Sequence, residues 1–112
     1  MKKLFCIILL IPTFAFSMHH KSDSIIFYLD LNILSNSVNV EEFLDNVVKS
    51  VNETEPGTLL YEYYLSEDRK KVSLLEIYKS DEDAITHMKN FLAAPHSGPF
   101  LETFEIESFK VM

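Results

Sequence analysis

Residues 58–79 read TLLYEYYLSEDRKKVSLLEIYK. Two runs rich in Leu, Tyr, Val and Ile flank a wholly polar stretch, SEDRKK at 66–71. That pattern fits two strands joined by a short exposed connection, and it predicts a hairpin over 58–79 with strands at Thr58–Leu65 and Val72–Lys79. In the second strand Val72, Leu74, Glu76 and Tyr78 point one way, and Ser73, Leu75 and Ile77 the other. Apolar side chains fall on both faces, so both faces call for a cover.

Working outward, Glu55-Pro56-Gly57 breaks whatever precedes the hairpin. Before it, Phe43, Leu44, Val47, Val48 and Val51 recur as one helical stripe. Asn39 reads as that helix's N-cap, with Glu42 in capping-box position. Ser35-Asn36-Ser37 is a loop, and Ser24–Leu34 (SIIFYLDLNIL) reads as the first strand. Downstream, Ser80 caps a second helix, and acids at 81, 82 and 83 suit its positive end. Ala84, His87, Met88, Phe91 and Leu92 mark its expected inner face, and Pro95 ends it. Pro99 starts a short extra turn, and Ile106–Met112 is the last strand. The order β-α-β-β-α-β is α+β and ferredoxin-like, with both helices on one face of a four-stranded antiparallel sheet. A second copy is the expected cover for the other face, closing a pocket at the sheet. The pattern leaves open which face of the hairpin lines that pocket.

The chain has 112 residues, enough for one small domain. Lys2 and Lys3, an apolar run over 4–16 and the small residues Ala15 and Ser17 match a secretory signal over 1–17. The run is too short to span a bilayer, and no second one follows. The expected divisions are a signal at 1–17, a flexible mature terminus at 18–23 and one domain at 24–112, exported to the periplasm or beyond a bacterial cell. Without the signal, 8 basic side chains face 17 acidic ones, a net charge of −9. Such a surface repels nucleic acid and anionic lipid. The sole cysteine, Cys6, leaves with the signal, which excludes disulfides, thiolate metal sites and cysteine nucleophiles in the domain. Cleavage after Ser17 would give Met18-His19-His20 an amine and a histidine in third place, a spacing that wraps Cu(II), and equally an accident of a terminus. Asn52-Glu53-Thr54 matches a glycosylation sequon, which has no meaning behind a bacterial signal.

Glu55-Pro56-Gly57, Tyr61-Glu62, Leu74-Leu75-Glu76-Ile77-Tyr78, Ser80-Asp81-Glu82-Asp83-Ala84, His87 and Ala94-Pro95-His96 through Phe100 together resemble the antibiotic biosynthesis monooxygenase family, in its quinol monooxygenase-like form. The resemblance spans nearly all of 25–112. It implies a dimeric α+β barrel of ferredoxin-like protomers that oxygenates an electron-rich aromatic or quinol with O₂, with no cofactor and no metal. It also implies that His87 is the proton acceptor and that His96 sits at the pocket. Haem-degrading relatives use a tryptophan and an asparagine; this chain has no tryptophan and has Asp30 at the corresponding place.

Read from the residues themselves, His87 can accept a phenolic proton or bond a backbone carbonyl. Glu76, between Leu75 and Ile77, is costly to bury alone and either orients His87 or ties strand to helix. Tyr61, Tyr63, Tyr64 and Tyr78 offer rings with polar tips for an aromatic ligand, or core and interface packing. Asp30 and Asn32 are further polar candidates on the first strand. The enzyme reading takes His87 and Glu76 as catalytic and His96, Tyr61, Tyr78 and Tyr63 as substrate-binding. The alternative is an exported dimeric module that holds a small ligand without chemistry.

Overall fold

The computed structural model describes residues 24–34 and 39–112. The expected signal segment, Met18-His19-His20 and the Ser35–Ser37 loop lie outside them. The elements run β1 (Ile25–Ile33), α1 (Val40–Thr54), β2 (Thr58–Leu65), β3 (Lys71–Tyr78), α2 (Asp81–Ala93), α3 (Ser97–Thr103) and β4 (Phe104–Val111). The strands form one antiparallel sheet in the order β2-β3-β1-β4, the ferredoxin-like arrangement.

The capping signals are met where the sequence puts them. Asn39 Oδ1 accepts from the Glu42 backbone N–H at 3.0 Å, and Ser80 Oγ accepts from that of Asp83 at 3.3 Å. Each bond satisfies an amide that the first helical turn cannot. Glu41 and Glu42 on α1, and Asp81–Asp83 on α2, lie at the positive ends of their helices. Gly57 is needed for close approach: a Cβ there would land on the Asp83 carboxylate, which itself accepts from Ser80 Oγ at 2.8 Å. The hairpin connection turns through Arg69 at φ 61°, a left-handed conformation unusual for a side chain of that size.

The odd-numbered side chains of β1 (Phe27, Leu29, Leu31) and the even-numbered ones of β3 (Val72, Leu74, Glu76, Tyr78) share the helix-covered face and are buried. α1 adds Leu44, Val47 and Val51 to that layer. α3 is pinned by Phe100, whose ring lies 4.9 Å from Phe104 and 5.2 Å from Phe91. The other face carries Ile26, Leu60, Leu75 and Ile77, flanked by Tyr28 and Tyr64; Leu60 and Ile77 are buried, Ile26 and Leu75 half-buried, and no helix among the described residues covers it. On it Asp30 accepts from Ser73 Oγ at 2.8 Å and from Ser108 Oγ at 3.2 Å, so strands on both sides satisfy its carboxylate.

The inner face of α2 is narrower than its sequence pattern suggests. Ala84 and His87 are buried and Phe91 is half-buried, but Met88 is 44% exposed and Leu92 70%. The helix lies over β2 and β3, so the flank bearing Met88 and Leu92 is left without strands beneath it.

Candidate functional site

A cavity of about 110 Å³ lies between the helix-covered face of the sheet and the pair α2 and α3. The parity of β3 brings Glu76 to it: Glu76 shares its side with Val72, Leu74 and Tyr78, which face the helices, so the carboxylate points inward rather than toward the bare face. Phe27, Leu29 and Leu74 form the sheet side, and Phe91 and Phe100 the helix side. Met88, Leu101, Ile106 and Phe109, from α2, α3 and β4, line the exposed edge of the cavity.

Polar atoms enter only at the opposite end, from Tyr61, Glu76 and His87. Tyr61 on β2 and Glu76 on β3 are direct cross-strand partners. His87, nearly two turns into α2, lies over both strands, its ring 5.3 Å from that of Tyr61 and 5.4 Å from that of Tyr78.

His87 Nδ1 is 2.8 Å from Glu55 Oε1. The same carboxylate accepts from Thr58 Oγ1 at 3.0 Å and Asn90 Nδ2 at 3.2 Å. Surrounded by donors, Glu55 accepts from Nδ1–H, so that whenever the ring is neutral its lone pair is on Nε2. Nε2 is 3.8 Å from Glu76 Oε1, too far for a hydrogen bond. The residue that orients His87 is therefore Glu55, where the sequence reading had put Glu76.

Glu76 has its own partners. Tyr78 Oη donates to its Oε1 at 2.5 Å, and Tyr61 faces it as its cross-strand partner. Burial raises the Glu76 carboxyl above its ordinary range, against the opposing pull of the Tyr78 bond and of His87. Burial also raises the Tyr61 and Tyr78 hydroxyls, and the Glu76 charge adds to it. The two phenols therefore stay protonated.

The remaining predicted site residues lie elsewhere. Tyr78 is fully buried beneath His87 and does not line the cavity. Tyr63 is on the helix-covered side but donates to Asp45 Oδ1 at 2.7 Å; burial and that bond push its hydroxyl up to about 12. Tyr64, on the bare face, donates to Glu62. His96 is the residue before α3, its ring 5.9 Å from Phe91, outside the lining; burial, then the neighbouring His87, lowers its ring. Asp30 and Asn32 belong to the bare face, and Asn32 donates to Glu105 at 3.2 Å.

Glu55 is the residue of the candidate site that the sequence reading did not pick out, because Glu55-Pro56-Gly57 reads as a helix-ending turn. A signal was present: it caps the C-terminus of α1, where the helix dipole disfavours a carboxylate. Among the described residues no cluster of three or more His, Cys, Asp or Glu could hold a metal ion, and no helix is long and apolar enough to cross a membrane.

No family model matches the chain, and no curated protein matches it by sequence. Solved structures do. MupZ from Pseudomonas fluorescens superposes with a TM-score of 0.66 at 17% identity, over 80% of this chain and 70% of that one. SnoaB from Streptomyces nogalater, described as a cofactor-independent oxygenase, gives 0.60 at 10% identity, over 80% and 91%. A Bacteroides thetaiotaomicron protein provisionally described as an antibiotic biosynthesis monooxygenase gives 0.55 at 21% identity, over 79% and 85%. The chain shares the fold of these structures.

Proposed function

We propose that this protein is a cofactor-independent monooxygenase of the antibiotic biosynthesis monooxygenase type, acting on a small quinol or phenolic compound. The observation that carries the reading is one apolar cavity whose inner end holds a histidine with a carboxylate on Nδ1 and an open Nε2. The shared fold with SnoaB supports it.

In this reading His87 Nε2 accepts the proton of a bound hydroxyl, and the imidazolium that forms is stabilised by Glu55. The electron-rich anion passes an electron to O₂, and the two radicals join at a ring carbon to give a hydroperoxide. Loss of water then completes the reaction. For a dihydroxylated ring the balance is four electrons: two convert quinol to quinone and two replace ring C–H by C–OH. One oxygen atom enters the ring and the other leaves as water, so no outside reductant is needed. Glu76, biased by burial toward its acid form, is placed to supply a proton for that water. Tyr78 holds Glu76 in place, and the apolar walls exclude bulk water from the anion.

A second copy covering the bare face of the sheet belongs to the same proposal, as does export directed by residues 1–17. Support for the dimer is the half-buried set Ile26, Tyr28 and Leu75 with the internally satisfied Asp30 between the strands. The test is oxygen uptake by metal-stripped protein with a panel of reduced quinols and catechols. Uptake that His87→Ala abolishes while the fold is retained supports the enzyme. Ligand binding with no uptake across the panel would make the protein a binding module instead.

A further inference from the structure

We infer that the cavity selects a single aromatic ring with its hydroxyls together on one edge and a hydrocarbon chain on the opposite edge, the class of alkylcatechols. This rests on the oxygenase reading above and specifies the substrate of that same site.

The first argument is the direction of polarity. Tyr61, Glu76 and His87 all lie at the β2–β3 end of the cavity, and the sheet register then continues through Phe27 and Leu29 on β1 to Phe109 on β4. Beyond Glu76 the lining offers no side-chain donor or acceptor. The second hydroxyl of a one-ring 1,4-quinol falls short of the exposed rim, among Phe27, Leu29, Phe91 and Phe100, and gives up water without a partner, which weakens binding roughly tenfold to a hundredfold.

The second is the pair of polar groups at the inner end. His87 Nε2 and Glu76 Oε1 stand 3.8 Å apart. Neighbouring hydroxyls on one ring edge can address both groups together, whereas hydroxyls on opposite edges cannot.

The third is size. Two strand spacings separate β3 from β4, about 10 Å, which is one ring and a short substituent. A volume of about 110 Å³ is on the scale of apolar cavities that take up benzene, and well short of three fused rings.

The fourth is the rim. Met88, Leu101, Ile106 and Phe109 are 43–53% exposed, and they come from three separate elements around the same opening. A chain leaving the far edge of the ring would lie across them. Full burial of a methylene is worth about fourfold in affinity, so half-exposed partners give about twofold per carbon.

The test is calorimetric titration of the whole protein under nitrogen, which separates binding from turnover. The probes are 4-methyl-, 4-butyl- and 4-octylcatechol, methylhydroquinone and anthrone. Affinity is expected to rise about twofold per carbon over the first few carbons, methylhydroquinone to bind at least tenfold more weakly than 4-methylcatechol, and anthrone not to bind. Phe109→Asp, at a half-exposed position, is expected to flatten the chain-length series. A flat series in the unaltered protein overturns the inference, as it would if a second copy covered the rim. So does methylhydroquinone or anthrone binding as tightly as the catechols, or no binding by any probe. Oxygen uptake measured separately tells the two proposals apart. Catechols that bind but consume no oxygen end the oxygenase reading alone, and hydroquinones oxidised in preference end the catechol inference alone.

Discussion

Replacing Glu55 by alanine removes the acceptor for three donors at once: His87 Nδ1 at 2.8 Å, Thr58 Oγ1 at 3.0 Å and Asn90 Nδ2 at 3.2 Å. Asn90 is exposed and can turn to water, and the Thr58 hydroxyl can rotate. The His87 ring is buried and has no such escape. An unsatisfied buried donor costs about 1–3 kcal/mol. Adding the small void and a share for Thr58 gives about 2–4 kcal/mol for Glu55→Ala. Glu55→Gln keeps one carbonyl oxygen for His87 and should cost only about 1 kcal/mol. Urea denaturation resolves the two, because a slope near 1 kcal/mol per molar for a domain of this size converts the alanine loss to roughly 2–4 M in midpoint. The second readout is the His87 tautomer, from nitrogen-15 NMR shifts of the ring. The proton is expected on Nδ1 in the unaltered protein and in Glu55→Gln, and on Nε2, toward Glu76, in Glu55→Ala. Catalysis by Glu55→Ala should then fall about a hundredfold, the scale of a lost general base. An unchanged tautomer with a midpoint within ~0.3 M of the parent would refute the argument that Glu55 sets the ring.

Three further outcomes are expected. Glu76→Gln should stabilise the protein near neutral pH, with the gain disappearing in acid. The folded pKa of Glu76 is raised, mainly by burial, so its charging penalty is absent below the ordinary carboxylate range, grows as pH rises through that range and levels off above the raised value. Thermal melts from pH 4 to 8 check this, and a gain independent of pH would contradict it. Leu75→Asp, half-buried on the bare face, should turn a dimer into a monomer in light-scattering chromatography; an unaltered protein that is already monomeric contradicts the proposed interface. Gly57→Ala should cost about 1 kcal/mol or more, because the new methyl displaces the Asp83 carboxylate and with it the Ser80 cap; a melt unchanged within error would show that α2 yields freely.

The element order was legible because its signals are local. Asn39 with Glu42 and Ser80 with Asp83 cap helices through bonds three residues long, and Pro95 stops α2 whatever packs around it. Alternation along β3 likewise placed Glu76 on one side with Val72, Leu74 and Tyr78. Alternation cannot say which side the helices take, since apolar residues stand on both. The partner of His87 was hidden for a related reason: Glu55 is 32 residues away and reaches the ring only because α1 ends beside α2. Glu76 is closer in sequence, yet its carboxylate is held by the Tyr78 hydroxyl and stands 3.8 Å from Nε2. Met88 and Leu92 fit a helical stripe, but β4 lies too far to the side to cover them.

The most direct measurement is the absorption spectrum of 4-nitrocatechol bound to the protein, taken at a pH below the free compound's first ionisation. The nitro group marks the charge state of the ring, and no oxygen chemistry is required. The account predicts the anion's spectrum on binding, with the neutral spectrum returning in His87→Ala. A ligand that stays neutral in the parent protein, or ionises equally well without the imidazole, would contradict the claim that His87 takes the substrate's proton.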